Sequence, residues 1–134
     1  MLKGYNMAKA KKEKLSVLKK KLDTEFSQFI RHRDHGKCYT CGTIKHESEM
    51  QAGHYISRTC LALRWDEVNV HCQCFSCNCM KHGDLITYRE NLIRQYGPEI
   101  VEGLEHRRHD TIKLTAEWYH EMIDYYRAKN REAK

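Results

Sequence analysis

Two Cys-x-x-Cys pairs are the clearest chemical signal in this sequence. Cys38 and Cys41 form the first pair, Cys74 and Cys77 form the second, and 32 residues separate the inner cysteines. Each pair can turn two thiolates toward one ion, so two pairs predict the tetrahedral four-sulfur shell of a structural Zn²⁺. The alternative is one redox dithiol pair plus core cysteines, which leaves the other pair unexplained. Four-sulfur zinc is coordinatively closed, so hydrolysis would need a second site.

Three further cysteines, Cys60, Cys72 and Cys79, complete a total of seven. Cys72 and Cys79 lie close enough to the second pair to be rival zinc ligands. We expect all three to be buried as small apolar residues, because free cysteine often packs in this way. In a chain that we expect to be cytoplasmic, this cysteine content predicts thiols and metal ligands rather than disulfides.

Between and just after the two pairs lie residues suited to hydrolysing a phosphodiester. His54 can take a proton from water near neutral pH. Asn69 follows fifteen residues later, and Asn78 comes directly after the second pair. Taken singly, each has an ordinary interpretation, His54 as a half-buried histidine and Asn69 as a turn residue. His71 could contact either a zinc-bound cysteine or a phosphate.

Five segments combine these residues into one specific pattern, which continues more weakly through Gly97-x-Glu99-x-Val101 into the last helix and covers about residues 26–128 in all. They are Cys38-x-x-Cys41-Gly42, Ala52-Gly53-His54-Tyr55, Leu63-Arg64-Trp65-Asp66-Glu67-x-Asn69-x-His71-x-Gln73-Cys74-x-x-Cys77-Asn78, Lys81-x-Gly83, and Tyr88-Arg89. The pattern resembles the HNH nucleases and, more closely, the phage NinG (Rap) recombination proteins.

The resemblance implies a ββα-metal core of the His-Me finger type with three catalytic residues. His54 would end the first strand, Asn69 would open the second, and Asn78 would lie on the helix that follows. A backbone carbonyl would hold Nδ1 of His54, and the other ring nitrogen would take a proton from the attacking water. Asn78 would bind a single Mg²⁺ or Mn²⁺ ion. Asn69 would brace the loop between the strands and so fix the His54 ring.

One position departs from the HNH pattern. Many HNH sites carry a metal-binding Asp or His immediately before the catalytic histidine, whereas this chain has Gly53 there, as the NinG relatives also do. The same-facing Gln51 is a poor ligand for a hard cation. His82 or Asp84 could complete the cation's ligands, and His82 could equally be a solvated surface histidine.

Positive charge is concentrated at the start of the chain. The 134 residues carry a formal net charge of +6, and residues 1–21 contain eight Lys and one Glu. The rest of the chain is therefore nearly neutral. A basic arm on such a body suits a polyanion such as DNA, although it could also be a solvated tail. The candidate DNA contacts are Lys11, Lys12, Lys14, Lys19, Lys20, Arg58, Arg64 and Lys81.

Helical periodicity precedes the cysteine-rich segment. Apolar residues recur at three- and four-residue steps over Leu15–Phe29 and predict an amphipathic helix that stops at Gly36. Alternation over residues 50–56 permits a strand, and residues 68–73 could form a second strand. We expect a loop over residues 57–67, between the two strands.

Three further helices are predicted after the cysteine-rich segment. Asp84 caps the first and Gly97 ends it, Pro98 begins the second, and Thr115 caps the last. The last helix carries Trp118, Met122 and Tyr125 on one face. We expect an α+β fold forming one compact domain overall. Residues 1–36 would be the basic arm and first helix, 37–84 the zinc-bound core, and 85–134 C-terminal helices packing on that core.

These features lead to the hypothesis of a metal-dependent DNA endonuclease. By resemblance, its substrate would be branched DNA such as a Holliday junction or a D-loop. One alternative is a zinc-knuckle module that binds nucleic acid without cutting it, and a weaker one is a sequence-specific homing or restriction-type nuclease. Two symmetric cuts would suit a homodimer whose interface the last helices could supply. The N-terminus lacks the apolar core of a secretory signal, and no apolar run is long enough to span a membrane, so we expect a cytoplasmic protein. The resemblance implies a phage protein that acts in its bacterial host.

Overall fold

A computed structural model of the chain describes residues 13–133. Over this range the regular elements are α1 (Leu15–Arg33), β1 (Gln51–His54), α2 (Leu61–Arg64), β2 (Val70–Gln73), α3 (Leu85–Tyr96), α4 (Pro98–His106) and α5 (Ala116–Glu132). Single helical turns cover Glu47–Glu49, Ser76–Met80 and Arg107–His109. Helices with one small antiparallel sheet agree with the predicted α+β class.

The described residues form two compact units. One unit comprises the described residues up to Phe29 together with those from Lys113 onward, and the other comprises Ile30–Ile112. This grouping differs from the three segments drawn from composition. The last helix groups with the first helix, whereas α3 and α4 group with the cysteine-rich segment. Composition could not predict this, because grouping depends on contacts between residues distant in sequence.

The first unit is held together by aromatic and polar contacts between α1 and α5. The ring of Phe26 meets that of Tyr126 edge-on, with 5.0 Å between the centroids. Asn130 Nδ2 donates hydrogen bonds to the backbone oxygen and to Oε1 of Glu25, at 3.0 and 3.1 Å. The predicted apolar stripe of α1 is partly confirmed, because Leu18, Leu22 and Phe26 are buried whereas Leu15 is 44% exposed.

The buried face of α5 is one residue away from the face that carries Trp118, Met122 and Tyr125. Thr115 caps the helix as predicted, and its Oγ1 accepts a hydrogen bond from the backbone nitrogen of Trp118 at 3.1 Å. The buried residues of the helix, however, are Tyr119, Ile123, Tyr126 and Asn130. Tyr125, on the predicted face, is 47% exposed. Both stripes fit helical spacing, so only the position of α1 decides which one is buried.

In the second unit, β1 and β2 pair antiparallel. Gln51 lies opposite Gln73, Gly53 opposite His71, and His54 opposite Val70. Both strands fall inside the predicted ranges and are shorter than predicted. The loop between them is not wholly irregular, because it contains the four-residue helix α2. A main apolar cluster joins this region to α3 and α4 through the buried residues Tyr55, Ile56, Cys60, Leu63, Tyr88, Leu92, Val101 and Leu104.

The end of α1 is tied to β2 by a charged pair. Arg33 Nη2 donates a hydrogen bond to the backbone oxygen of Val70 at 2.9 Å, and Asp34 Oδ2 accepts one from the backbone nitrogen of Cys72 at 2.8 Å. The helix ends at Arg33, three residues before the predicted stop. Gly36 itself has φ 67°, and a Cβ there would lie 2.0 Å from the backbone oxygen of Lys45.

The signals for α3 and α4 are largely confirmed. Gly97 ends α3 with φ 93°, and Pro98 begins α4. Asp84 occupies the residue before α3 as predicted, but its side chain makes no capping hydrogen bond, and its backbone has φ 50°. Across residues 13–133, the helices are too short or too polar to cross a membrane.

Candidate metal and catalytic site

The four cysteines of the two pairs converge on one point. Their sulfur atoms all lie within 4.8 Å of one another, and within residues 13–133 no other group of three His, Cys, Asp or Glu side chains could hold a metal. Cys41 Sγ and Cys74 Sγ are 3.8 Å apart. Four Zn–S bonds of about 2.3 Å in a tetrahedron place sulfurs about 3.8 Å apart. A disulfide would require about 2.05 Å, so these residues fit one tetrahedral ion.

Local backbone structure turns each pair inward. In the first pair, the backbone nitrogen of Gly42 donates a hydrogen bond to the backbone oxygen of Cys38 at 3.0 Å, and Gly42 has φ 80°. A residue with a side chain rarely adopts this φ, so the glycine after the pair meets a conformational need. In the second pair, the backbone nitrogen of Cys77 donates to Cys74 Sγ at 3.4 Å.

The thiols of the cluster differ in acidity. Burial alone would raise the pKa of Cys38, but hydrogen bonds from Thr40 and from neighbouring backbone amides lower it to about 6. Hydrogen bonds at Thr43 lower the pKa of Cys41, whereas burial raises that of Cys77 to about 12. Because zinc binds thiolates, binding must displace the protons that remain, and zinc affinity falls with falling pH.

The other three cysteines do not belong to the cluster. Cys60 and Cys72 are buried, at 8% and 0% exposure, as predicted. The prediction for Cys79 is wrong, because this residue is exposed and its Sγ lies 3.3 Å from Gln51 Oε1. Cys79 lies two residues after Cys77, and closeness in sequence to a zinc ligand does not by itself bury a side chain.

His54 ends β1 and is held by the loop that follows. Its Nε2 lies 2.8 Å from the backbone oxygen of Arg64. A carbonyl oxygen can only accept, so Nε2 carries the proton, and in the neutral ring Nδ1 carries the lone pair. The carbonyl contact is therefore made by Nε2, whereas Nδ1 was expected to make it. The ring of His54 faces this loop because Arg64, the last residue of α2, places its backbone oxygen within hydrogen-bond distance of Nε2.

Asn69 ties that loop together from a fully buried position. Its Oδ1 accepts a hydrogen bond from the backbone nitrogen of Ile56 at 2.8 Å. Its Nδ2 donates to the backbone oxygens of Ile56 and Leu63, both at 3.0 Å. The amide thus joins the two ends of the segment that precedes Arg64. Through this segment, Asn69 helps to determine where the carbonyl facing His54 lies.

Asn78 lies on the other side of the strand pair from His54. Its Nδ2 donates a hydrogen bond to Gln51 Oε1 at 2.7 Å. Gln51 and His54 are three residues apart in β1, so their side chains point to opposite faces. The contacts therefore attach the two candidate residues to different faces of the sheet rather than to one cluster.

His82 does not share a helix face with Asn78. The helical turn that contains Cys77 ends at Met80, and His82 is exposed with φ 52°. Gly83 and Asp84 continue in the left-handed region, with φ 93° and 50°. The expectation that the helix would persist to His82 is wrong, because the backbone reverses hand there. Neither His82 nor Asp84 forms a metal-binding group with other acidic, histidine or cysteine side chains of the described chain.

The space beside Gly53 is filled by Gln73, a residue whose role sequence reasoning missed. A Cβ on Gly53 would lie 1.9 Å from Gln73 Oε1. Gln73 Nε2 donates hydrogen bonds to the backbone oxygen of Gly83 at 2.9 Å and to Thr40 Oγ1 at 3.1 Å. Its Oε1 is buried and has no hydrogen-bond partner within residues 13–133. Strand alternation could have found this residue, because positions 53 and 73 fall on the same face.

His71 is a buried neutral residue rather than a surface contact for phosphate. It is 1% exposed, and its Nε2 lies 3.0 Å from the hydroxyl oxygen of Tyr96. Its ring stacks on that of Tyr39 with 4.0 Å between the centroids. Burial, followed by the nearby Arg33 charge, lowers the pKa of His71 to about 4. Tyr88 donates a hydrogen bond from its hydroxyl to the backbone oxygen of Gly53 at 2.6 Å, a role that sequence reasoning did not assign to it.

The candidate DNA contacts lie in different environments. Lys11 and Lys12 fall outside the described residues. The exposed ones are Lys14, Lys20, Arg58 and Lys81, and Lys19 is partly buried. Arg64 is also partly buried, and its guanidinium lies 5.1 Å from the ring centroid of Trp65. A basic run that sequence reasoning did not single out includes Arg108 and His109, which line a cavity of about 520 Å³ beside Ser57.

Comparisons with known proteins cover most of this chain. The family model described as Bacteriophage Lambda NinG protein matches residues 3–134. Protein ninG of Escherichia phage lambda is 39% identical over 116 residues, which are 78% of this chain and 55% of that protein. Protein ninG of Escherichia phage 933W is 46% identical over 87 residues, or 60% of this chain and 42% of that protein.

The match to these relatives is partial in length. Protein ninG of Salmonella phage P22 is 45% identical over 87 residues, which are 60% of this chain and 41% of the relative. The chain thus spans about half the length of the relatives named here, or somewhat less. No solved structure matches it. The family model nevertheless matches nearly the whole chain, and on that ground the chain belongs to the NinG family of phage lambda.

Proposed function

We propose that this protein is a metal-dependent DNA endonuclease of the HNH type. The observation that carries the proposal is the position of His54. This residue ends β1, and β1 pairs with β2, the strand that leads directly into the second cysteine pair. Its Nε2 proton is directed to the backbone oxygen of Arg64 at 2.8 Å. This contact favours the tautomer in which Nδ1 can act as a base.

The reaction would be hydrolysis of a phosphodiester bond. Nδ1 of His54 removes a proton from a water molecule, and the water oxygen attacks phosphorus. A bond from the water oxygen to phosphorus forms, the bond from phosphorus to the leaving oxygen breaks, and the leaving oxygen takes a proton from solvent. The Arg64 carbonyl stabilises the resulting imidazolium, and Asn69 holds the loop that carries this carbonyl.

A divalent cation, Mg²⁺ or Mn²⁺, would neutralise charge on the phosphate and on the leaving oxygen. Asn78 is the candidate protein ligand, through its Oδ1. Its Nδ2 already donates to Gln51, so the amide is oriented by a neighbour. Amide oxygens are acceptable but uncharged ligands for such ions, which commonly retain several waters and phosphate oxygens.

The proposed substrate is branched DNA, such as a Holliday junction or a D-loop, as the family resemblance implies. Basic residues contact phosphates and therefore read shape rather than base sequence. The exposed Arg58 and Lys81 both belong to the second unit, which also holds His54. A homodimer would allow two symmetric cuts.

The test compares His54→Ala with the parent protein on a four-way junction, a D-loop and linear duplex, each with Mg²⁺, Mn²⁺ or EDTA. We expect the parent protein to cut branched DNA only with a divalent ion. His54→Ala should lose at least about 100-fold in rate while retaining DNA affinity, since a general base contributes about that much or more. His46→Ala, which changes an exposed histidine in the turn before β1, is the matched control. Cutting by His54→Ala at the parent rate would refute the proposal.

The second candidate is a zinc-containing module that binds DNA without cutting it. The attachment of His54 and Asn78 to opposite faces of the strand pair favours this alternative. Binding without cleavage under every ion tested would support it. Preferential cutting of one linear sequence would instead support a sequence-specific nuclease.

A further inference from the structure

Gln73 carries a buried oxygen atom that has no hydrogen-bond partner in the described part of the chain. The residue is 0% exposed, and both contacts of its amide group are made by Nε2, to Gly83 and Thr40. Among residues 13–133, no group donates a hydrogen bond to Oε1. A buried carbonyl oxygen of this kind is costly to leave unpaired, and in native proteins it commonly marks a place where a water or an ion binds.

The unpaired oxygen lies where the side chain of residue 53 would otherwise be. A Cβ on Gly53 would fall 1.9 Å from Oε1 and 2.7 Å from Cδ of Gln73. The glycine thus lets the amide of β2 reach across β1. The two Nε2 hydrogen bonds fix the plane of this amide, so the direction of Oε1 is also fixed.

Two other carboxamides share this face of the strand pair. Gln51 lies directly opposite Gln73 in the register, so the two Cβ atoms are about 5 Å apart. Asn78 is hydrogen-bonded to Gln51 at 2.7 Å. Gln51 and Asn78 are both partly exposed, whereas Gln73 is buried. Three amide side chains therefore belong to this face, and amide oxygens are among the donors that hard divalent cations accept.

We propose that Gln73 Oε1 is a ligand of a divalent cation, Mg²⁺ or Mn²⁺, bound between Gln73 and Asn78. This inference rests on the proposed function and identifies a further ligand for its cation. The donor atom that Gly53 cannot supply from β1 comes instead from the facing position of β2. Water molecules and phosphate oxygens would fill the remaining positions around the ion.

The test measures Mn²⁺ binding by the full, zinc-loaded chain, from the loss of the electron paramagnetic resonance signal of free Mn²⁺. Gln73→Leu removes the ligand atom and should weaken Mn²⁺ binding by at least about tenfold. Gln73→Glu keeps the length and adds a charge, so it should bind Mn²⁺ at least about tenfold more tightly. Gln95→Leu and Gln95→Glu, at an exposed glutamine of the same unit, should leave the affinity unchanged. Zinc content and circular dichroism check that each variant folds.

Opposite results separate this inference from the proposed function. If Mn²⁺ affinity is the same in the parent, Gln73→Leu and Gln73→Glu, or if the parent binds no Mn²⁺, the ligand assignment is overturned. Should Gln73→Leu fail to fold, Gln73→Glu alone decides. If the parent cleaves DNA but both variants bind Mn²⁺ with unchanged affinity, the proposed nuclease function is retained and Gln73 is rejected as a ligand. If Mn²⁺ binding depends on Gln73 but no DNA is cleaved, the cation site is retained and the proposed nuclease function is rejected.

Discussion

Replacing Asn69 by Ala should destabilise the protein far more than the loss of one polar side chain normally does. The substitution removes three hydrogen bonds from a residue with 0% exposure. It leaves the backbone nitrogen and oxygen of Ile56 without these partners, whereas the backbone oxygen of Leu63 still accepts a hydrogen bond from the backbone nitrogen of Asp66 at 3.3 Å. Water cannot easily replace the amide, because the site is buried.

The expected loss can be worked out from these contacts. Each buried polar group left unpaired costs about 1–3 kcal/mol. With partial relaxation of the loop, we expect the free energy of unfolding to fall by roughly 3–5 kcal/mol in total. A domain is commonly stable by about 5–15 kcal/mol, so this loss is a large fraction. The melting temperature should fall by roughly 10 °C or more.

The assay is urea unfolding of zinc-saturated protein, monitored by circular dichroism. Asn91→Ala is the matched control, because Asn91 is partly exposed and donates one hydrogen bond, to the backbone oxygen of Tyr39 at 2.8 Å. We expect this control to lose about 1 kcal/mol. A loss in Asn69→Ala no larger than that of the control would refute the argument that Asn69 holds the loop carrying the Arg64 carbonyl.

Three further predictions concern the zinc cluster, Gly53 and His71. Cys41→Ser should lose bound zinc in metal analysis, whereas Cys79→Ser, also at an exposed cysteine, should retain one zinc per chain; equal zinc contents would contradict the assigned cluster. Gly53→Ala should lower the free energy of unfolding by about 1–3 kcal/mol, because the added carbon displaces the Gln73 amide from its hydrogen bonds; an unchanged urea midpoint would contradict this. His71 has a pKa lowered to about 4 by burial, and its unfolded pKa is about 6.5. Its contribution to stability is therefore complete above about pH 6.5 and should disappear as pH falls toward 4, by up to about 3 kcal/mol. The decline of urea midpoints from pH 7 to 5 should be shallower in His71→Gln than in the parent, and equal slopes would argue against a buried neutral ring.

The sequence by itself determined the features that depend on neighbouring residues. The two Cys-x-x-Cys pairs predicted one four-sulfur cluster, which the structure brings together. The Gly97-Pro98 boundary and the Thr115 cap were predicted correctly, because a left-handed glycine, a fixed proline φ and a capping hydroxyl each act within a few residues. The approximate positions of both strands followed from alternation in the same way.

The tertiary structure decided the features that depend on which residues, distant in sequence, lie next to each other in the fold. Two stripes of α5 fit helical spacing equally well, and contact with α1 selects the one containing Tyr126. The Arg64 carbonyl selects which nitrogen of His54 carries the proton. Gln73 reaches the space beside Gly53 only because the strand register places both on one face. Local sequence patterns specify where helices and strands begin and end. Strand register, and which face of an element is buried, depend on long-range contacts that local patterns do not specify.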